Sequence, residues 1–249
     1  KSLGILKPHR GVRAGAVVKT REVFNQYSIE TVITSNREVN RPPHFLPRGH
    51  NLIRIQTRAK VNPVLPAYLI SNACRITNKV DELQAVVETS NANVAIITES
   101  WLDSNIPSSA ISLGNTFNIY RKDRMCSQGG GVLAYVSVTI PTKQLSELEV
   151  ADKEVLWLLH TPPRIMRPFS CIITVAIYFP EFRRNIAKES ELNNYITERL
   201  DNLLKERPSA GIVITGDINQ LDPRPLCQRF NLRKIVKAPT RGHNILDQI

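Results

Sequence analysis

The sequence predicts an α+β fold in which two β-sheets lie face to face, flanked by helices. Two observations carry this expectation. Several β-forming runs follow one another without an intervening helix, which argues for mixed or antiparallel sheets and not for a doubly wound parallel one. Only two long stretches show apolar residues at helical spacing, and they sit before and after the main block of strand-like runs.

Residues 1–64 form a basic, low-order leader. "NRPPHFLPRGH" mixes Pro, Gly and charge without a sustained period, and "IETVITS" reads as a short strand with no evident partner. Residues 1–60 hold twelve Lys/Arg against three Asp/Glu, so +9 of the net +11 lies there. Such a leader attracts nucleic-acid phosphates through counterion release, or is simply solvated. From Leu65 the texture becomes globular. Residues 78–90 place Val80, Leu83, Val86 and Val87 at helical spacing, with Thr77 or Asn78 as the expected cap. "VAIIT" then reads as a buried strand running up to Glu99. Residues 118–120, "GGGVLAYVSV", "EVLWLLH" and "CIITVAIYF" supply further strands. Residues 191–205 carry Leu192, Tyr195, Ile196, Leu200, Leu203 and Leu204 on one face, and "GIVITGD" is the last clear strand. The three glycines at 129–131 form a tight turn into a strand; no helix follows them, which excludes a P-loop.

No apolar run approaches the roughly 18 residues of a membrane span. The first residues, "KSLGILKPHRG", lack the apolar centre of a signal peptide, and the absence of an initiator Met fits a fragment. The four cysteines, Cys74, Cys126, Cys171 and Cys227, form no C-x-x-C pair; buried reduced thiols in an intracellular compartment are expected, and no zinc site.

Candidate chemistry lies where buried runs stop. Glu99 follows "VAIIT", Asp217 and Asn219 follow "GIVIT", and Asn72 sits in "LISNACR". Such ends collect the ligands of α/β sites. Each residue alone also fits an ordinary turn, and Tyr178, ending "TVAIY", also fits the core. As a set they suit phosphate-ester chemistry: Glu99 offers hard oxygen to Mg²⁺, an Asp orients or deprotonates water, and an amide donates to phosphate. In an extended segment Asp217 and Asn219 point the same way.

In order and spacing, "SNACRITNKVDELQ…VAIITESWL", "FNIYRKDRMCSQGGGVLAYV", "EVLWLL…AIYFP", "IVITGDIN" and "APTRGHNILDQI" resemble the endonuclease/exonuclease/phosphatase superfamily. The closer resemblance is to the apurinic-type endonuclease domain of non-LTR (LINE-like) retrotransposons. It covers residues 65–249 and implies a four-layer α/β/β/α, DNase I-like sandwich, here incomplete at its C-terminus. It implies Mg²⁺ (or Mn²⁺) with Glu99 as metal ligand, Asn72 orienting the site and Tyr178 contacting the phosphate. Asp217 orients or activates water, Asn219 stabilises the transition state, and Asp247 is the carboxylate that orients a histidine. It further implies DNA as partner, a polyprotein with a downstream reverse transcriptase, and action in the nucleus. The family pattern ends in Ser-Asp-His, and none of His9, His44, His50, His160 or His243 lies in one. All five are therefore expected to be solvated loop or tail residues. The implied activity is Mg²⁺-dependent DNA nicking. The alternatives are an inactive truncated remnant that binds nucleic acid, and a phosphomonoesterase.

Overall fold

The computed structural model describes residues 65–125, 129–180 and 185–236, together with the backbone of three two-residue strands at 5–6, 18–19 and 247–248. The chain separates into two compact units, Lys1–Pro63 and Val64–Ile249. In the first, Ile5–Leu6 pairs antiparallel with Val18–Lys19. The low order expected of the leader, and the "IETVITS" strand, lie outside the described residues.

The second unit opens with β1 (Tyr68–Asn72), followed by a 3₁₀ turn at Ile76–Asn78, α1 (Val80–Ser90) and β2 (Val94–Thr98). Next come β3 (Phe117–Lys122), β4 (Val132–Ser137), β5 (Thr142–Gln144), β6 (Val155–His160) and β7 (Cys171–Tyr178). Then follow α2 (Ile186–Glu206), β8 (Ala210–Asp217), α3 (Arg224–Phe230) and β9 (Asp247–Gln248). Sheet I has the order β1-β2-β4-β3 and sheet II the order β9-β8-β7-β6-β5. Both are mixed: β1 and β2 run parallel, as do β7 and β8, while every other neighbour is antiparallel.

Three apolar clusters define four layers. Leu83 and Val87 of α1 pack with Ala95, Ile97, Leu133 and Tyr135 on one face of sheet I. Val94, Ile96, Ala134 and Val136 meet Leu156, Leu158 and Ala176 between the sheets. Leu192, Tyr195, Ile196 and Leu200 of α2 cover Trp157, Ile173, Val175 and Ile177 on sheet II. The alternation of strand residues between the two faces produces this layering. The expected α/β/β/α arrangement is the one observed.

Several local expectations need correction. Neither Thr77 nor Asn78 caps α1. Backbone bonds from Arg75 N to Glu99 O (2.9 Å) and from Ile76 N to Ser100 O (3.1 Å) tether this segment to the β2 exit. That tether bends residues 76–78 into the 3₁₀ turn and leaves Lys79 at the helix start, with no side-chain cap. Val86 falls outside the buried stripe and is 45% exposed. Helix α2 starts five residues earlier than its apolar face indicated, because Asn185 caps it by accepting from Lys188 N at 3.2 Å. Among the described cysteines none is paired, and Cys74 is exposed, not buried.

His160 is also not solvated: it is fully buried in β6. Its Nδ1 lies 2.8 Å from Thr142 Oγ1 and its Nε2 lies 3.0 Å from Thr174 Oγ1, which in turn lies 2.7 Å from Tyr68 OH. Thr142 donates to the Ile140 carbonyl. In the neutral ring Nδ1–H donates to Thr142, Thr174 donates to Nε2, and Tyr68 donates to Thr174, so all four bonds are made. Burial disfavours the charged ring and lowers the His160 pKa from 6.5 to about 4. Between those values the unfolded chain binds a proton that the folded chain refuses. The stabilising contribution is thus complete above pH 6.5 and is lost as pH falls towards 4, by about 3 kcal/mol. Urea titrations at neutral pH and near pH 4 check this. His160→Gln should flatten the dependence, and an unchanged slope would show that other groups govern it.

Candidate active site

The C-terminal end of each parallel strand pair carries two of the candidate residues. In sheet I, Asn72 is opposite Thr98 at the last step of β1 and β2, and Glu99 follows directly. In sheet II, Asp217 is opposite Tyr178 at the last step of β7 and β8. Face-to-face packing brings the two ends together.

Asn72 joins them. Its Oδ1 accepts from Cys74 N (3.1 Å), which aims its Nδ2 at the carboxylates. Nδ2 donates to Glu99 Oε1 (2.7 Å) and to Asp217 Oδ2 (2.9 Å). A flipped amide would face two carboxylates with an acceptor, so the hydrogen bonds fix its orientation. Tyr178 OH also donates to Glu99 Oε1, at 3.1 Å. Burial raises the Tyr178 pKa, and the neighbouring Glu99, then Asp217 and Glu154, raise it further. The phenol therefore stays protonated and can only act as a donor toward these anions.

Backbone geometry positions both carboxylates. Glu99 has φ 50°, which turns the chain sharply at the β2 exit. Gly216 has φ 124°, and a Cβ there would lie 2.9 Å from Ile177 N and collide with the Ile177 carbonyl oxygen. Only glycine lets β8 lie this close to β7, with Asp217 beside Tyr178. At Gly131 (φ 85°) a Cβ would lie 2.6 Å from Ser100 Oγ, so the glycine turn also fits tightly against the β2 exit.

Four of the six predicted residues thus meet: Asn72, Glu99, Tyr178 and Asp217. Asn219 makes no hydrogen bond to these four side chains among the described residues. Strand β8 ends at Asp217, Asn219 has φ 44°, and its Nδ2 donates to Phe179 O at 2.8 Å. The period-two argument for its direction fails because the segment is no longer extended. Asp247 pairs in register with Asp217 across β8 and β9; its side chain lies outside the described residues, as do His9, His44, His50 and His243.

Two residues were not singled out from sequence. Glu154 precedes β6, level with the end of β7, and its carbonyl accepts from Tyr178 N at 2.9 Å. Its carboxylate accepts from Arg124 Nε (2.8 Å) and from Gly131 N. The Arg124 guanidinium lies 5.8 Å from the Tyr178 ring centre. Arg124 follows β3 at the same end of sheet I as Glu99, since Lys122 and Thr98 both pair with Val132. Strand pairing alone reveals this proximity; local sequence does not.

The donor set fits a hard divalent cation. Among the described residues Glu99 Oε2 has no hydrogen-bond partner, while Oε1 is held by two donors. No group of three ligating side chains occurs among the described residues, but Mg²⁺ characteristically uses one or two carboxylates, completing its shell with water and phosphate. No helix among the described residues is long and apolar enough to cross a membrane.

No protein-family model matches the chain, and no curated protein does. Solved structures do. The endonuclease domain of TRAS1, a telomere-specific non-LTR retrotransposon, aligns with TM-score 0.51 and 16% identity, over 74% of this chain and 83% of that one. The AP endonuclease LMAP from Leishmania major aligns with TM-score 0.47 and 18% identity, over 64% of this chain. This chain spans only 61% of LMAP. Truncated TDP2 from Caenorhabditis elegans aligns with TM-score 0.47 and 10% identity, over 70% and 67% of the two chains. At such identities the likeness is one of fold: the chain has a two-sheet, DNase I-like fold.

Proposed function

We propose that the chain is a Mg²⁺-dependent nuclease domain that hydrolyses phosphodiester bonds and nicks DNA. The observation that carries this reading is the single amide of Asn72 shared between Glu99 and Asp217, from opposite sheets. Two carboxylates held this close concentrate negative charge at the surface end of the sandwich. That charge would favour binding of a divalent cation.

Glu99, through its open oxygen, would hold Mg²⁺ or Mn²⁺. When bound, the ion supplies positive charge against a phosphate oxygen. Asp217 orients a water molecule and takes its proton as the water oxygen bonds to phosphorus. The ester oxygen opposite leaves and takes up a proton from solvent. The protonated phenol of Tyr178 donates to the phosphate, and Asn72 keeps both carboxylates in register. For Asn219 to reach the phosphate its amide must leave the Phe179 carbonyl. Asp247, whose backbone pairs with Asp217, keeps the role the resemblance implies for it, orienting a further group. The five sequence motifs support an origin in a non-LTR retrotransposon beside a reverse transcriptase, and a nuclear site of action.

Supercoiled plasmid is the test substrate. The full chain should relax it in Mg²⁺ and stop in EDTA; intact plasmid after prolonged incubation with Mg²⁺ or Mn²⁺ ends this reading.

A further inference from the structure

Beside the carboxylates, at the same end of sheet I, lies a cavity of about 300 Å³ whose walls include Arg75, Trp101, Asp103, Arg124 and Gly129. Its size is near the lower bound of small-ligand pockets. Its walls come from the loops that leave β1 and β2 and from the β3–β4 connection, and its Arg75 and Trp101 lie close in sequence to Asn72 and Glu99. Arg75 N donates to Glu99 O (2.9 Å), and Trp101 is two residues beyond Glu99.

The loops leaving β1 and β2 carry strained backbone. Cys74, Arg75, Glu99 and Trp101 all have positive φ, at 45°, 82°, 50° and 55°. Non-glycine residues seldom adopt this region, and such strain gathers at binding and catalytic sites. Its consequence here is to present Arg75 and Trp101 together. The exposed Arg75 guanidinium lies 5.2 Å from the indole centre, and among the described residues no carboxylate pairs with it. The indole Nε1 is buried beside Gly129 and has no acceptor among the described residues. Asp103, the one acid on the wall, already accepts from Asn105 N at 2.7 Å. An indole, an arginine without an acidic partner and a net positive lining match the two halves of a nucleotide. Bases stack on aromatic rings irrespective of sequence, and guanidinium groups bind phosphate with directed donors.

We infer that this cavity holds one nucleotide of a single DNA strand next to the bond that is cut, its base against Trp101 and its phosphate on Arg75. The inference rests on the nuclease reading for its place in the reaction. Binding itself needs neither metal nor cleavage. The experiment is a titration of the full chain with a short oligothymidylate in EDTA, following tryptophan emission. The only other tryptophan, Trp157, is fully buried, so quenching reports on Trp101. Saturable quenching is expected. Arg75→Ala should weaken it about tenfold, and Trp101→Phe should abolish the signal while weakening oligonucleotide affinity measured by anisotropy. The pocket is overturned if the oligonucleotide binds with Trp101 emission unchanged, or if Arg75→Ala binds as tightly as the unaltered chain. Quenching without any nicking in Mg²⁺ removes the nuclease reading and leaves the pocket; nicking without quenching does the reverse.

Discussion

Glu99→Ala lowers Mg²⁺-supported nicking by about a thousandfold or more, the largest effect expected of any single change on activity. The substitution removes the half-buried carboxylate whose free oxygen suits the metal. It also removes the acceptor shared by Asn72 and Tyr178. A second variant separates these losses. Glu99→Gln keeps an oxygen that can accept from Asn72 and Tyr178 but carries no charge, so it preserves the hydrogen-bonded cluster and weakens the metal. If charge is what matters, Gln is nearly as inactive as Ala while its thermal transition stays close to that of the unaltered chain. Recovery of most of the rate in Glu99→Gln would show that hydrogen bonding, and not metal binding, is the role of this position. Initial rates of plasmid relaxation, read beside thermal melts, decide it.

Gly216→Ala destabilises the fold by about 3 kcal/mol or more, the largest effect expected from a single methyl group. Two terms contribute. A φ of 124° is hostile to any side chain, and the added Cβ collides with the Ile177 backbone. Relief requires β8 to separate from β7 where Gly216 faces Ile177 in register, one step before Asp217 faces Tyr178. Stability and site geometry are therefore lost together. Urea denaturation measures the first, and nicking under conditions where the variant remains folded measures the second. A variant with an unchanged midpoint would show that the strands can part at little cost.

The glycine in "IVITGDIN" shows how much the sequence disclosed. The run into an Asp marked a strand end and a candidate carboxylate, and both are present in the structure. That the glycine is the contact allowing two strands to close depends on the neighbour across the sheet, which no local pattern contains. Asn219 shows the limit of periodicity: alternation holds to Asp217 and fails two residues later, when the chain turns at φ 44°. Asn72, Glu99 and Tyr178 were each ambiguous alone, and became legible as a set at the ends of several strand-like runs and through the resemblance those motifs carry. Arg124 and Glu154 were not, because surface Arg and Glu are common and only strand register brings them to the end of β7. His160 was misjudged for a related reason. Its burial follows from partners at Thr142 and Thr174, which sequence distance conceals. The leader's basic character is plain in the sequence, and its structure lies outside the described residues.

Glu99 and Asp217, joined through Asn72, are expected to act as one metal-supported site. The most direct measurement compares Mg²⁺-supported nicking by the unaltered chain, Glu99→Ala, Asp217→Asn and the double variant. Residues that act as a unit are strongly non-additive. Each single change should abolish most of the rate, and the double variant should fall no lower than the worse single. Rates unaffected by either substitution, or losses that multiply in the double variant, would contradict this.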